Sequence, residues 1–309
     1  MRIAVIGDIH AYELRVHPRR LVGKRLFGQT NLWLNRRFRF NHALLEPVLQ
    51  RAIEIEPDLL LMTGDLTTTS LPNEFADMVD QLRPLAQQVP TLVVPGNHDR
   101  YTFGAARQQR VENMMGSLVP PRFPHFEKLD EHWHLLALDA ARPRVMLSSG
   151  RLGENQLNAA QKQIKHLSAH DGLIVLCHYP IGAPPGKMPV AWGHDLSDRA
   201  ALARLLKACP ARVVYVHGHI HRPWCWQPTD GKLPQFTFIN AGAPCLTTAS
   251  YPAGQGFWQI DLSPDPGKTI GITHHVPTAS DADAAMGWKC VGGHPPPPAD
   301  RTWHAATLR

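Results

Sequence analysis

The chain has 309 residues, 43% of them hydrophobic and 19% charged, an ordinary globular composition with apolar mass for one large core or two smaller ones. No apolar run approaches the roughly 18 residues of a membrane span, and five scattered cysteines without a C-x-x-C pair speak against a disulfide framework or a thiolate zinc site. The net charge of +6 belongs to one segment, because Arg15, Arg19, Arg20, Lys24, Arg25, Arg36, Arg37 and Arg39 fall between Leu14 and Phe40 with no acid among them.

The first predicted element is a strand at "RIAVIGD" (residues 2–8). It starts so early that no signal peptide fits before it, and with unpaired cysteines this points to a cytoplasmic protein. Residues 11–41 follow as a long insert in which the eight cations are mixed with Leu21, Val22, Leu26, Phe27, Leu32, Trp33, Leu34, Phe38 and Phe40. A 3.6-residue stripe at Leu45, Val48, Leu49, Ala52 and Ile53 predicts the first clear helix, with Pro47 in its first turn.

Further apolar strands are predicted at 58–65, 91–99, 133–139, 172–178, 212–219 and 236–240. Helical stripes lie between them: Phe75, Met78, Val79 and Leu82; Leu157, Ala160, Ile164 and Leu167; and Leu202, Leu205 and Leu206 behind Ser197 as N-cap. Continuous apolar strands suit burial on both faces, and their alternation with helices predicts an α/β domain over residues 1–277. Residues 278–309, with four successive prolines at 295–298, read as a tail that decorates this domain, anchored through Trp288 and Trp303.

Metal-competent side chains follow the predicted strands in order. Asp8 and His10 come after the first, Asp65 after the second, and Asn97, His98 and Asp99 after the third. His178 follows the strand at 172–178, while His219 and His221 follow "ARVVYV" (211–216). In "YVHGHIHRPW" (215–224) an extended chain would turn His217, His219 and His221 to one side. Each piece alone has an ordinary reading: a D-x-H by chance, a Gly-Asp turn, a core histidine. Their joint placement after separate strands selects a metal centre, since ligands of open α/β sheets gather at the carboxyl ends of strands and neutral imidazole is the commonest metal ligand.

The blocks D-x-H (Asp8, His10), G-D (Gly64, Asp65), G-N-H-D (residues 96–99), the lone His178 and G-H-x-H (residues 218–221) together resemble the calcineurin-like metallophosphoesterases. The resemblance implies a β-sandwich of two mixed sheets flanked by helices, with a binuclear site at strand ends. Asp8, His10 and His221 would hold one ion, Asn97, His178 and His219 the other, and Asp65 would bridge. A hydroxide shared by the ions would attack phosphorus, with His98 contacting a non-bridging oxygen or protonating the leaving group. Imidazole, carboxylate and carboxamide donors without thiolate suit Mn, Fe, Zn or Co. One departure stands out: many members of the family place an acid three residues after the G-D aspartate, and here that position is Thr68, with Asp99 as the substitute partner offered for His98. Cys177 should face the opposite side of its strand from His178 and belong to the core, and Gly218 lets the backbone pass close beside the ligands.

The insert leaves directly from Asp8 and His10, so it should overhang the metals. Its mixture of cations and apolar side chains fits an anionic membrane surface or a phosphate-rich, partly greasy substrate; its ordinary reading is a subdomain with aromatics beneath and charges outside. With "GDLTTTS" and "GNHDRYT" it resembles a branch containing UDP-diacylglucosamine pyrophosphohydrolases. The loop at 179–195, through Lys187, Trp192 or His194, is a second candidate for substrate contact. The leading expectation is therefore hydrolysis of a phosphodiester or pyrophosphate, with a nucleotide-linked lipid as substrate. A cyclic-nucleotide or other small-diester phosphodiesterase is the alternative, a non-catalytic binding module the rival of another class, and nucleic acid the least favoured partner.

Overall fold

The computed structural model describes all residues except 15, 22, 146, 185–192, 229–234, 248–255, 279–286 and 293–309. In chain order its strands are β1 (Arg2–Ile6), β2 (Leu59–Met62), β3 (Thr91–Val93), β4 (His125–Lys128), β5 (Trp133–Leu138), β6 (Gly172–Cys177), β7 (Arg212–His217), β8 (Trp224–Trp226), β9 (Phe236–Asn240), β10 (Phe257–Asp261), β11 (Gly271–Thr278) and β12 (Gly287–Gly292). The helices are α1 (Lys24–Leu34), α2 (Leu45–Glu54), α3 (Pro72–Ala86), α4 (Phe103–Arg107), α5 (Arg110–Met115), α6 (Glu154–Ile164) and α7 (Arg199–Lys207).

Alternation of side chains along the strands sorts these elements into layers. In β1, Ile3 and Val5 enter one core while Ala4 and Ile6 enter another, and in β6 Ile174 and Leu176 part in the same way from Leu173, Val175 and Cys177. Two six-stranded sheets result, ordered β12-β11-β10-β1-β2-β3 and β4-β5-β6-β7-β9-β8. Their facing sides share a core that includes Val5, Leu61, Trp133, Ile174 and Val214. The outer side of the first sheet packs against α2 and α3 through Val48, Phe75 and Met78. Ala160 and Ile164 of α6 and Leu202 and Leu206 of α7 cover the second. Burial of both strand faces is why the sequence reads as continuous apolar runs rather than alternating ones.

Both sheets are mixed. β1, β2 and β3 run parallel, as do β5, β6, β7 and β9, so their carboxyl ends lie along common edges. Antiparallel strands complete the flanks. β12 lies inside the segment 278–309 that composition marks as a decorating tail; it pairs with β11 from Thr273↔Gly292 to Thr278↔Gly287 and extends the sheet past residue 277. Trp288 packs against the first outer core, as an anchor would, while Trp303 lies outside the described residues. The N-cap of α7 is Asp198 rather than Ser197, and the Asp198 carboxylate accepts from the backbone of Leu152 and Gly153.

One ion-pair cluster ties the sheets together near the parallel strand ends. Arg100, beyond β3, is buried and donates to Glu112 at 2.5 Å and to Asp139, beyond β5, at 2.8 Å. Removing one partner from a buried cluster strands the remaining charges. Arg100→Met should cost about 3–5 kcal/mol of stability, read as a lowered midpoint in urea unfolding with the slope unchanged.

Candidate metal centre

The parallel strand ends of the first sheet do not fray apart. Beyond β1 and β2 the chains continue side by side: Asp8 N donates to Gly64 O at 3.0 Å, His10 N to Asp65 O at 2.9 Å and Ala11 N to Leu66 O at 2.8 Å. Asp8 and His10 are therefore held next to Asp65. The second sheet supplies its share through β6 and β7, where Gly218 N donates to His178 O at 3.1 Å. The sheets meet at this edge, because His219 N donates to both Asp8 carboxylate oxygens and His178 Nδ1 donates to Thr63 O at 2.7 Å.

Five of the converging residues have left-handed backbone: Asp8 (φ 52°), His10 (57°), Asp65 (52°), His219 (74°) and His221 (58°). Non-glycine residues adopt that region rarely and at a cost, and such strain clusters at functional sites. It also corrects the sequence expectation for "YVHGHIHRPW". β7 ends at His217, and His219 and His221 are presented by turn residues, not by an alternating strand. His217 is buried against the rings of Tyr215 and Trp224, 5.9 and 5.5 Å away, and burial holds it neutral, with its pKa pushed down to about 3.

Asp8, His10, Asp65 and His221 each place one donor atom within 4.8 Å of the others, and so do Asp65, His178 and His219. Asp65 belongs to both groups. The Nε2 atoms of His10 and His221 are 2.8 Å apart, His219 Nδ1 and His178 Nε2 are 3.2 Å apart, and Asn97 Oδ1 is 3.2 Å from His178 Nε2.

Two observations bear on whether a cation suits this site. The first is charge: Asp8 and Asp65 are both buried. Burial, with Asp65 nearby, raises the Asp8 pKa well above the usual carboxylate value. Burial also opposes ionisation of Asp65, but His178, His98 and His10 outweigh it and hold that group well below. Such a pair calls for positive charge. The second is tautomer: His178 Nδ1 donates to Thr63 O, and His219 Nε2 donates to His194 O at 2.6 Å. In each ring the outer nitrogen is held by a carbonyl and the inner nitrogen faces the cluster, the orientation in which outer partners fix metal-binding imidazoles. Burial opposes charge on His178, but Asp65 and Asp8 outweigh it and raise its pKa to about 9, so a cation bound there would displace its inner proton. The donor set suits a divalent metal centre.

His98 sits at the mouth, half-buried, with its backbone N donating to Asp65 Oδ1 at 2.8 Å. Its Nδ1 donates to the backbone carbonyl of Thr68 at 2.6 Å. Position 68 thus orients the histidine after all, through main chain instead of a carboxylate. Asp99 does not take that role: its carboxylate accepts from Thr67 N, Thr67 Oγ1 and Gly96 N, clamping two loops. No side-chain identity could have signalled the Thr68 contact.

Other contacts were equally hidden in sequence. Phe40 packs edge-on against His10 (5.2 Å) and His221 (5.9 Å), and Tyr101 stacks on His98 (5.4 Å). Lys24, from the insert, lies 4.6 Å from the Tyr101 ring and donates to Leu147 O, so part of the insert does reach the mouth. Of the second loop, His194 is in place beside Ser148, while Lys187 and Trp192 lie outside the described residues. Cys177 is buried in the helix-covered core, as its strand position predicts.

A two-sheet α/β sandwich that gathers histidines and aspartates at its joined strand ends defines the class of metal-centred phosphoesterase folds. The chain belongs to the calcineurin-like phosphoesterase family, whose family model matches residues 1–223. Among solved structures, a dimetal phosphatase from Danio rerio superposes with a TM-score of 0.59 at 12% identity, over 88% of this chain and 94% of that one. A purple acid phosphatase from yellow lupin seeds gives 0.59 at 15%, over 94% of this chain and 53% of its own. At these identities the likeness is one of fold. Among sequence relatives, a 3',5'-cyclic adenosine monophosphate phosphodiesterase, CpdA, of Vibrio vulnificus is 29% identical over 58% of this chain. A 3',5'-cyclic-nucleotide phosphodiesterase of Nostoc sp. is 28% identical over 57%. The match spans 60% of the length of each of these two relatives.

Gly218 tests the geometry directly. A Cβ there would lie 2.5 Å from Asp8 Oδ2 and 2.6 Å from Thr63 Oγ1. Gly218→Ala should displace Asp8 and lower bound metal, measured by atomic absorption after loading with Mn, while far-ultraviolet circular dichroism stays unchanged.

Proposed function

We propose that the protein is a binuclear metal-dependent phosphodiesterase acting on a cyclic nucleotide or a similarly small diester. The observation that carries the chemistry is the pair of donor groups sharing Asp65 beside His98. Asp8, His10 and His221 would hold one ion, Asn97, His178 and His219 the other, and Asp65 would bridge them. Bound divalent ions would supply Lewis-acid charge at the phosphoryl group and lower the pKa of water.

The protein's own residues do the rest. Thr68 O keeps the His98 ring in one orientation, since a carbonyl accepts from Nδ1–H whether the ring is neutral or charged. His98 is thereby placed to contact a phosphoryl oxygen or to deliver a proton from Nε2 to the departing alkoxide. A carbonyl stabilises imidazolium less than a carboxylate would, which favours the contacting role. Tyr101 and His10 confine the ring from two sides.

Support for the substrate class comes from the relatives, which are named for cleavage of cyclic nucleotides. They lend no support to a lipid-linked substrate such as UDP-diacylglucosamine, and the small diester replaces it as the leading reading. A non-catalytic module gives no physical reason to hold five residues in strained backbone around buried carboxylates.

Protein loaded with Mn should hydrolyse cyclic AMP or bis(p-nitrophenyl) phosphate, lose that turnover on chelation and regain it on reloading. Turnover of UDP-diacylglucosamine with neither diester cleaved would overturn the substrate class. His98→Ala should keep its metal content and lose about a hundredfold or more in kcat.

A further inference from the structure

Among the described residues, seven large hydrophobic side chains are exposed, and five of them lie in the insert: Leu14 (42%), Leu26 (45%), Phe27 (69%), Leu34 (68%) and Phe38 (68%). They are placed together. Phe27 and Leu34, seven residues apart on α1, share one helix face, and Phe38 follows one turn beyond the helix end. Leu14 is drawn to the same region because Trp33 Nε1 donates to its carbonyl at 3.1 Å. The opposite side of α1 is engaged: Gln29 and Leu32 are fully buried, and Lys24 contacts Tyr101. Core formation has therefore used one side of this short helix and left phenylalanine and leucine on the other.

The charges within the insert have a single sign. Arg19, Arg20, Arg37 and Arg39 are exposed, and no acid occurs from residue 14 to residue 40. That charge decides among occupants. Two copies meeting face to face would bring their arginines together without a counter-charge, and like charges suppress such contacts. A nucleic-acid groove uses aromatic rings for stacking, but Leu14, Leu26 and Leu34 have no face on which a base can stack. Apolar side chains that enter a hydrocarbon boundary while guanidinium groups meet anionic headgroups account for both features.

We propose that this outward face of the insert docks the protein peripherally on an anionic lipid bilayer. No described helix is long and apolar enough to cross a membrane, so the contact is a surface one. α1 would then lie between the bilayer and the metal centre, its inner side reaching His98 through Lys24 and Tyr101. The docking surface is independent of which diester the centre cleaves.

Co-sedimentation tests this with the full chain and vesicles of phosphatidylcholine alone or mixed equally with phosphatidylglycerol. Wild-type protein should pellet with the mixed vesicles only, and added salt should weaken the binding. The combined variant Phe27→Ser/Leu34→Ser/Phe38→Ser should bind about tenfold or more weakly at unchanged thermal stability, and Arg37→Gln/Arg39→Gln should lose the preference for anionic lipid. Wild-type protein that ignores anionic vesicles, or triple-variant protein that binds them equally, would overturn the proposal. So would a wild-type dimer that the triple variant dissolves, or oligonucleotide binding lost in that variant without vesicle binding.

Discussion

Two aspartates buried side by side where the sheets meet set the terms for the rest of the molecule. Asp8 arrives from β1 and Asp65 from β2, and Asp65 stands within reach of histidines from both sheets. Two carboxylates cannot both be ionised in an apolar interior without compensating charge. Among the surrounding imidazoles, His178 and His219 have their outer nitrogens tied to backbone carbonyls, so their inner nitrogens face the cluster. A divalent cation suits the arrangement, since both donor groups around Asp65 converge on positions where positive charge would offset the buried carboxylates.

Holding that arrangement requires unfavourable backbone. Left-handed conformation at non-glycine residues costs roughly 1–3 kcal/mol each, and the site contains five of them. The sandwich tolerates this because the strained residues are anchored immediately upstream by parallel strands buried on both faces. The β1–β2 ladder continues as far as Ala11, which bridges Thr67, and keeps the turns in register. Glycines appear where the packing is tightest: Gly218 passes against Asp8, and Gly64 (φ 88°) lies where a Cβ would meet the backbone of Val94 and Gly96. Stability of the layers and precision of the site are thus one property.

Most of this was legible in the sequence for a simple reason. Parallel strands in a two-sided core are uninterrupted apolar runs, and metal-competent side chains follow them at fixed ends. Strand order therefore pointed to Asp8, His10, Asp65, Asn97, His98, Asp99, His178, His219 and His221, while the family resemblance supplied the division into ligands and His98. What escaped had no such signature. β10 and β11 are antiparallel and interleave polar with apolar residues, as in "GITHHVPT", where two buried histidines conceal a strand. β12 was hidden in a composition typical of tails. The support of His98 by Thr68 uses a carbonyl, which every residue possesses. The three-histidine run misled for the opposite reason: it looked like an alternating strand and is a pair of left-handed turn residues after one.

The insert shows how a common framework acquires individual character. It leaves just after Asp8 and His10, places Phe40 against the rings of His10 and His221, and returns to the framework where Asn41 N donates to Cys245 O. Between those points its inner side closes on the mouth of the site and its outer side faces solvent. The central claim is the pair of ions around Asp65, and anomalous diffraction from a crystal loaded with Mn addresses it most directly. Two peaks should appear, one bordered by Asp8, His10 and His221, the other by Asn97, His178 and His219, with Asp65 touching both. A single peak, or metal bound elsewhere with these side chains empty-handed, would contradict it.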